Sequence, residues 1–274
     1  MYPILHLFGQ EVPSYGFMLI IAFAAAFIVA MLRHKINGIS KLDTLVAMLL
    51  AGVGAFLGGK LFYAIQGLPQ FFELQARLNI NFLDYLTQYA GLVYYGSFIG
   101  CVLMLLLFCV LYKISFWKMI DALLPSLPLA QAIGRVGCFM AGCCYGMPFE
   151  HGFVIHSADL AQHDAVHSIA GLAPRDVPLL PVQLIEASCV LALFFIMVYY
   201  GRQTRPPGKV FSIYLIGYGA IRFILEFFRY DAIRGFAGGL SISQWVSIIL
   251  ITLGLYFAIF YRPRKKASLP HSPV

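Results

Sequence analysis

Five charged side chains stand inside stretches that are otherwise apolar: Lys60 in FLGGKLFY, Arg135 in AIGRVGCF, Glu186 in PVQLIEAS, and Arg222 with Glu226 in YGAIRFILEFF. A charge in such a setting is expensive and functional by default. Arg222 and Glu226 are spaced i,i+4 and share one helix face, so one reading is an internal ion pair that ties helices together. That pair leaves Arg135 unanswered. Three cations (Lys60, Arg135, Arg222) against two anions (Glu186, Glu226) make a surplus that calls for an anionic ligand, and guanidinium forks match phosphate oxygens two bonds at a time. Glycines cluster beside the cations: Gly58 and Gly59 before Lys60, Gly134 and Gly137 around Arg135 with Gly142 and Gly146 after them, Gly217 and Gly219 before Arg222. They read either as close helix packing or as room for a ligand. Tyr15, Tyr94, Tyr95, Tyr145 and Tyr218 fall near the ends of apolar runs, as members of an interfacial aromatic belt or as hydroxyl donors to a headgroup.

Cys138, Cys143 and Cys144 form a C-x4-CC cluster. Three thiols lack the paired spacing and fourth ligand of a structural metal site, and no metal or other cofactor is expected from the spacing. Cys101, Cys109 and Cys189 lie in apolar runs and read as small hydrophobes. The six cysteines imply no disulfide framework. His151, His156, His163 and His167 are scattered through one polar stretch and read as solvated loop residues.

The elements that must hold these groups are membrane helices. Of 274 residues, 61% are hydrophobic and 11% charged, against roughly 25% charged in soluble domains. Seven apolar runs approach the ~20 residues needed to cross a bilayer: 16–33, 45–66, 91–112, 121–141, 182–200, 209–228 and 242–261. The run at 121–141 carries Pro125, Pro128, Gln131 and Arg135 and suggests a broken or re-entrant helix, tolerated only where protein covers the exposed backbone. The expected fold is an all-α integral membrane bundle over residues 1–261, with a polar outer loop at 142–181 and a basic tail at 262–274. No removable leader is read in residues 1–15.

Alternate loops carry Arg33, Lys35, Lys41, Lys113, Lys118, Arg202, Arg205, Lys209, Arg262, Arg264, Lys265 and Lys266, whereas the opposite loops carry only Arg77, Arg175, Arg229 and Arg234. This asymmetry places the N-terminus outside and the C-terminus in the cytoplasm. It also accounts for the net charge of +7 without nucleic acid, since no basic stretch is interleaved with stacking aromatics. FFELQARLNI, in the loop at 67–90, suggests a helix lying along the interface. No internal repeat is found, which argues against a repeat-built transporter.

GRVGCFMAGCCYG at 134–146 resembles the signature of the prolipoprotein diacylglyceryl transferase family, usually GRxGNFxNGExxG. In the same order, SYGFM at 14–18 resembles its Tyr-Gly motif, FLGGKLFY at 56–63 its GGR segment and GLVYYGSFIG at 91–100 its FHGG segment. PVQLIEA at 181–187 resembles its PSQLYE segment, LIGYGAIRFILEFFR at 215–229 its sixth helix, and LSISQ at 240–244 its last motif. The resemblance implies transfer of the diacylglyceryl group of phosphatidylglycerol to the lipobox cysteine of a prolipoprotein, with release of glycerol phosphate, in the bacterial cytoplasmic membrane. It implies that Arg135 and Arg222 bind the phosphate, that Glu186 and Glu226 orient them or bind glycerol hydroxyls, and that Tyr15 and Tyr218 hold the headgroup. It places Lys60, Gly96, Gly134, Gly137, Cys138, Gly142 and Gly146 in the substrate site. The chain departs from the pattern where Tyr95 replaces the FHGG histidine, Lys60 the GGR arginine, and Cys138, Ala141 and Cys143 the signature's Asn, Asn and Glu. Tyrosine, titrating near about 10, donates hydrogen bonds and is a poor base at neutral pH. A paralogue acting on another acceptor, or a non-catalytic lipid-binding or transport protein, are the alternatives these departures raise.

Overall fold

In a computed structural model the described residues are 4–7, 9–78, 81–85, 94–154, 174, 176–203, 205–230 and 235–261. The helices are α1 (Ser14–Arg33), α2 (Lys41–Gln66), α3 (Leu68–Leu78), the single turn α4 (Phe82–Asp84), α5 (Tyr94–Leu111), α6 (Phe116–Leu123), α7 (Ser126–Ala141), α8 (Val182–Tyr200), α9 (Lys209–Leu225) and α10 (Ile242–Ile259). Glu226–Phe228 continues α9 as a 3-10 turn. Five of these segments are long and apolar enough to cross a membrane, and α6 with α7, read as one broken span, makes a sixth. α5 is apolar but shorter in its described part. The interruption between α6 and α7 falls at Leu124 and Pro125, where the sequence suggests a break. Large apolar side chains face outward along the helices, among them Ile20, Phe23 and Ile28 on α1, Phe56 and Leu61 on α2, and Ile249 and Leu253 on α10. Buried polar groups such as Gln183, Glu186, Arg222, Glu226 and Gln244 lie inside. Apolar surface outward and polar groups inward is the pattern a lipid solvent selects. The protein is therefore a multi-pass helical membrane protein.

The helical expectation omits three short antiparallel hairpins: β1 (Ile4–Leu7) with β2 (Gln10–Pro13), β3 (Pro148–Val154) with β4 (Pro178–Leu179), and β5 (Phe236–Ala237) with β6 (Leu240–Ser241). They tie off segments outside the helices. The second organises the polar stretch read as a loop at 142–181, of which 155–173 and 175 lie outside the described residues, with His156, His163 and His167 among them. The tail from 262 lies outside them too. Tyr145, read with the aromatic belt, is instead buried on Leu179 beside Phe153 in the core of that hairpin.

The helices group into two compact units, residues 31–123 and residues 1–30 with 124–274. In the first unit α2 packs on α5 through facing glycines. A β-carbon at Gly58 would collide with the Gly96 carbonyl, and one at Gly100 with the Gly54 carbonyl. Gly54–Gly58 and Gly96–Gly100 are thus a matched pair of small-xxx-small ridges that lets two backbones touch. Gly96, expected in the substrate site, serves this contact. α3 occupies the position of the expected interfacial helix and buries Phe71 against Ala64 and Tyr85, and the Tyr85 hydroxyl donates to the Gly67 carbonyl at 3.2 Å.

In the second unit a core of Leu193, Met197, Val210, Tyr214 and Leu215 joins α8 to α9. α10 lies against α9 where Gly219 faces Ile251 and Gly254 faces Ile216, each leaving under 3 Å for a β-carbon. α10 opens with a capping box: the Ser241 hydroxyl accepts from Gln244 N–H at 3.2 Å, and the Gln244 side chain accepts from Ser241 N–H at 3.0 Å. In lipid these first-turn amides have no water to turn to.

Gly100→Leu is expected to lower the melting temperature in detergent, through a loss of roughly 1–3 kcal/mol by overpacking. Gly16→Ala, at a position with open space around it, should leave it unchanged. Equal melting of both variants with the parent would refute the glycine contact.

Candidate functional site

Arg135, on α7, meets Glu186, on α8, at 3.0 Å. The second oxygen of Glu186 lies 3.4 Å from Arg222 on α9, which also bonds Glu226 at 2.9 Å and donates to the Ser243 hydroxyl at 3.2 Å. One carboxylate thus bridges two guanidinium groups, and four helices converge on it: α7, α8, α9 and α10. Glu186 and Glu226 side chains are 2% and 1% exposed, Arg222 10% and Arg135 20%. The gradient matters: Arg222 is clamped on three sides, whereas Arg135 is the more open guanidinium.

This arrangement corrects the charge count. Over the chain, cations outnumber anions within the spans, but at the cluster two arginines meet two carboxylates. The i,i+4 pairing of Arg222 with Glu226 is visible in the spacing; the double use of Glu186 is not, because its partners lie on other helices. Lys60, the remaining in-span cation, is half-buried on α2 in the other unit. Gly96 and Tyr95 belong to that unit as well, and the Tyr95 side chain lies outside the described residues.

Around Arg135 the remaining predicted residues gather. Tyr218 is within side-chain hydrogen-bonding reach of it, and its ring stacks on Tyr214 at 5.5 Å and 3°. The Tyr214 hydroxyl accepts from Gln131 at 2.8 Å, which fixes the stack against α7. Tyr15, at the start of α1 and 42% exposed, is within electrostatic reach of Arg135 and of Cys138, Cys143 and Cys144. Gly137 allows the α1 approach, since a β-carbon there would lie 2.9 Å from Met18 and 3.5 Å from the Tyr15 ring. Gly134 differs: nothing lies within 4 Å of where its β-carbon would stand. Beside Arg135, then, Gly137 serves packing and Gly134 leaves room.

The segment after α7 was legible only as a motif. α7 ends on Gly142 in the left-handed region (φ 77°), and Cys144 adopts it too (φ 59°), a strained choice for a residue with a side chain. The two turns fold the chain back so that the sulfurs of Cys138, Cys143 and Cys144 lie within 4.8 Å of one another. Backbone bonds lock the segment to its neighbours. Gly146 N–H donates to Leu180 at 3.1 Å, Leu180 N–H to Met147 at 2.9 Å, Met147 N–H to Phe228 at 2.9 Å and Tyr230 N–H to Tyr145 at 3.3 Å. Gly146 also faces Val182 and Leu180 with no space for a β-carbon. Gln183, which the sequence reading passed over inside its own PVQLIEA motif, donates to the Cys143 carbonyl at 2.7 Å. Hydrogen bonds from the two neighbouring thiols, then the charges of Arg229 and Arg135, hold the Cys144 thiol below its ordinary range against the effect of burial.

Ser243 was missed as well, although Ser-x-x-Gln at 241–244 is a readable capping pattern that fixes where position 243 points. A partly exposed arginine with open space at the neighbouring Gly134, close to Tyr15 and Tyr218 and backed by a buried ion cluster, suits an anionic headgroup.

The family model for prolipoprotein diacylglyceryl transferase matches residues 3–260. The chain belongs to that family. It is 34% identical over 268 residues to a phosphatidylglycerol–prolipoprotein diacylglyceryl transferase of Clostridium tetani, covering 97% of this chain and all of the relative. It is 33% identical over 250 residues to one from Clostridium perfringens, 91% of each chain, and 30% identical over 288 residues to one from Burkholderia multivorans, 96% of this chain and 95% of that one.

Arg222→Ala would leave Glu186 and Glu226 each short of one buried partner. It is expected to destabilise the protein by about 3–5 kcal/mol, read as a lower unfolding midpoint in detergent, with Arg222→Lys losing less. A midpoint unchanged in Arg222→Ala would show that the bridge does not hold the helices.

Proposed function

We propose that this protein transfers the diacylglyceryl group of phosphatidylglycerol to the cysteine thiol of a prolipoprotein lipobox and releases glycerol phosphate. Its relatives carry that activity in their names, and family membership extends over nearly the whole chain. The observation that carries the reading is the open Arg135 set on a buried ion cluster beside Tyr15 and Tyr218.

In this reading Arg135 binds the phosphate, and its charge meets the negative charge that grows on the leaving oxygen. Arg222, with Glu186 and Glu226, holds Arg135 in place. Tyr15 and Tyr218 donate to the headgroup, and the space at Gly134 admits it. Gly137, Cys138, Gly142 and Gly146 shape the segment beside Arg135. The chain works as one membrane domain of seven spans over 1–261, N-terminus outside and basic tail at 262–274 in the cytoplasm, in the bacterial cytoplasmic membrane. The acceptor is the signal-peptide end of a prolipoprotein. The twelve-to-four loop asymmetry supports that orientation.

The test uses purified protein in detergent with phosphatidylglycerol and a synthetic lipobox peptide, read by mass spectrometry. A diacylglyceryl thioether adduct is expected. Arg135→Ala should still fold and insert, with a lower melting temperature than the parent, yet lose about 10²- to 10³-fold in turnover at a temperature where it is folded, the range for removing one preorganised charge-stabilising donor. Near-normal turnover in that variant would overturn the phosphate assignment.

A further inference from the structure

The mechanism above leaves one need unmet. The acceptor must react as a thiolate, and a free thiol titrates near about 8.5. Among the described groups at the site, both carboxylates are engaged with arginines, and the tyrosines are poor bases at neutral pH. A thiol cluster adjoins Arg135. Cys138 sits one turn beyond Arg135 on α7, and Cys143 and Cys144 are folded back onto it by two left-handed residues. Their three sulfurs lie within 4.8 Å of one another, and among the described residues the group of ligand atoms is these three. The segment is held at both ends by the α8 entrance and the end of α9, so the sulfurs are preorganised before anything binds.

We propose that Cys138, Cys143 and Cys144 bind a zinc ion through three thiolates, and that its fourth position takes the acceptor cysteine and delivers it as a thiolate. This rests on the transferase reading and deepens it. Thiolate sulfur is the ligand that selects zinc among common divalent ions, and three protein ligands with one open position define a zinc site that acts on substrate. A thiol that coordinates zinc is deprotonated outright. The set carries one net negative charge with zinc and two once the acceptor thiolate joins. Arg229 and Arg135, both within electrostatic reach of Cys144, offset that charge.

The step balances without a redox partner. Zinc binding releases the protons of the three thiols, and acceptor binding releases one more. The acceptor sulfur then attacks the glycerol carbon that carries the phosphate ester. A carbon–sulfur bond forms, the carbon–oxygen bond breaks, and its electron pair leaves on the glycerol phosphate beside Arg135. The thioether product is neutral and a weaker ligand than the thiolate, so it vacates the zinc. The ion stays zinc(II) throughout.

The test is made on full-length protein purified under a phosphine reductant without chelators. Elemental analysis should find a zinc ion per chain. Protein stripped with a membrane-permeable zinc chelator should lose product formation and regain it with zinc. Cobalt(II) loaded in place of zinc should give a thiolate-to-cobalt charge-transfer band, which shifts when a lipobox peptide is added but not when its cysteine is serine. Cys138→Ser and Cys144→Ser should each lose the ion, and the chelation arm reads the same property without a variant that could misfold. Product formed at full rate by metal-free protein overturns the proposal and leaves the transferase standing. Absence of zinc and of the cobalt band in folded protein also overturns it. A cobalt band that ignores the peptide thiol overturns the activating role. A folded, zinc-loaded protein that forms no adduct from phosphatidylglycerol and peptide refutes the transferase reading, while its metal content still reports on the site.

Discussion

The carboxylate of Glu186, shared between Arg135 and Arg222, is the contact on which the rest of the molecule's second unit depends. A single guanidinium in an apolar bundle would cost far more than packing could return, and lipid offers no water to relieve it. Two arginines and two glutamates in one chain of contacts remove most of that cost. They do so only if α7, α8 and α9 meet at fixed heights, because the contacts run from 2.9 to 3.4 Å. The glycine contacts between α9 and α10 and the capping box at Ser241 then gain a purpose beyond stability: they place Ser243 on Arg222. A deeply buried ion network is weak evidence for net stabilisation. Its more secure effect is on geometry, since sliding any one helix by a turn would strand a charge.

The same helix carries the second constraint. α7 holds Arg135 three residues before Cys138, then stops on Gly142, and the chain doubles back through Cys144 in the left-handed region. The strain at Cys144 persists because Gly146, Met147 and Leu180 close a backbone network around it, and Gln183 anchors the Cys143 carbonyl. Gln183 and Glu186 lie one turn apart on α8, so that helix supports the thiols with one residue and the arginines with the next. The charge cluster and the sulfur cluster thus share one support, α8.

Much of this was legible in the sequence. Length and apolarity located the helices because a bilayer demands both, and Pro125 and Pro128 marked the broken span because proline removes an amide donor. Arg222 with Glu226 could be paired from spacing alone. Other features were not legible because they depend on contacts between distant segments. The double role of Glu186 is one, and the closeness of three sulfurs separated by a left-handed turn is another. The glycines show the limit well: the local sequence around Gly134 and Gly137 is equally small, yet one faces open space and the other faces Met18 and Tyr15. The strands escaped notice because five of the six have two to four residues, too few for alternation to stand out, and the seven-residue β3 pairs with only two residues of β4.

A neutral cluster is at first sight a poor receptor for a phosphate, and its neutrality bears on how the proposed site would work. The headgroup of phosphatidylglycerol is a phosphodiester with one negative charge, and the departing glycerol phosphate is a monoester carrying nearly two. A site with a bare surplus of positive charge would bind the ester and the product tightly alike, and uniform binding does not speed the chemical step. Arg135 is already engaged by Glu186 on one side, and in the proposed mechanism this moderates its pull on the singly charged ester. As charge accumulates on the leaving oxygen, its attraction to the open side of the guanidinium grows, while Arg222 holds Glu186 in place. In the proposed mechanism that growing charge meets a guanidinium already in position, without movement of the surrounding helices.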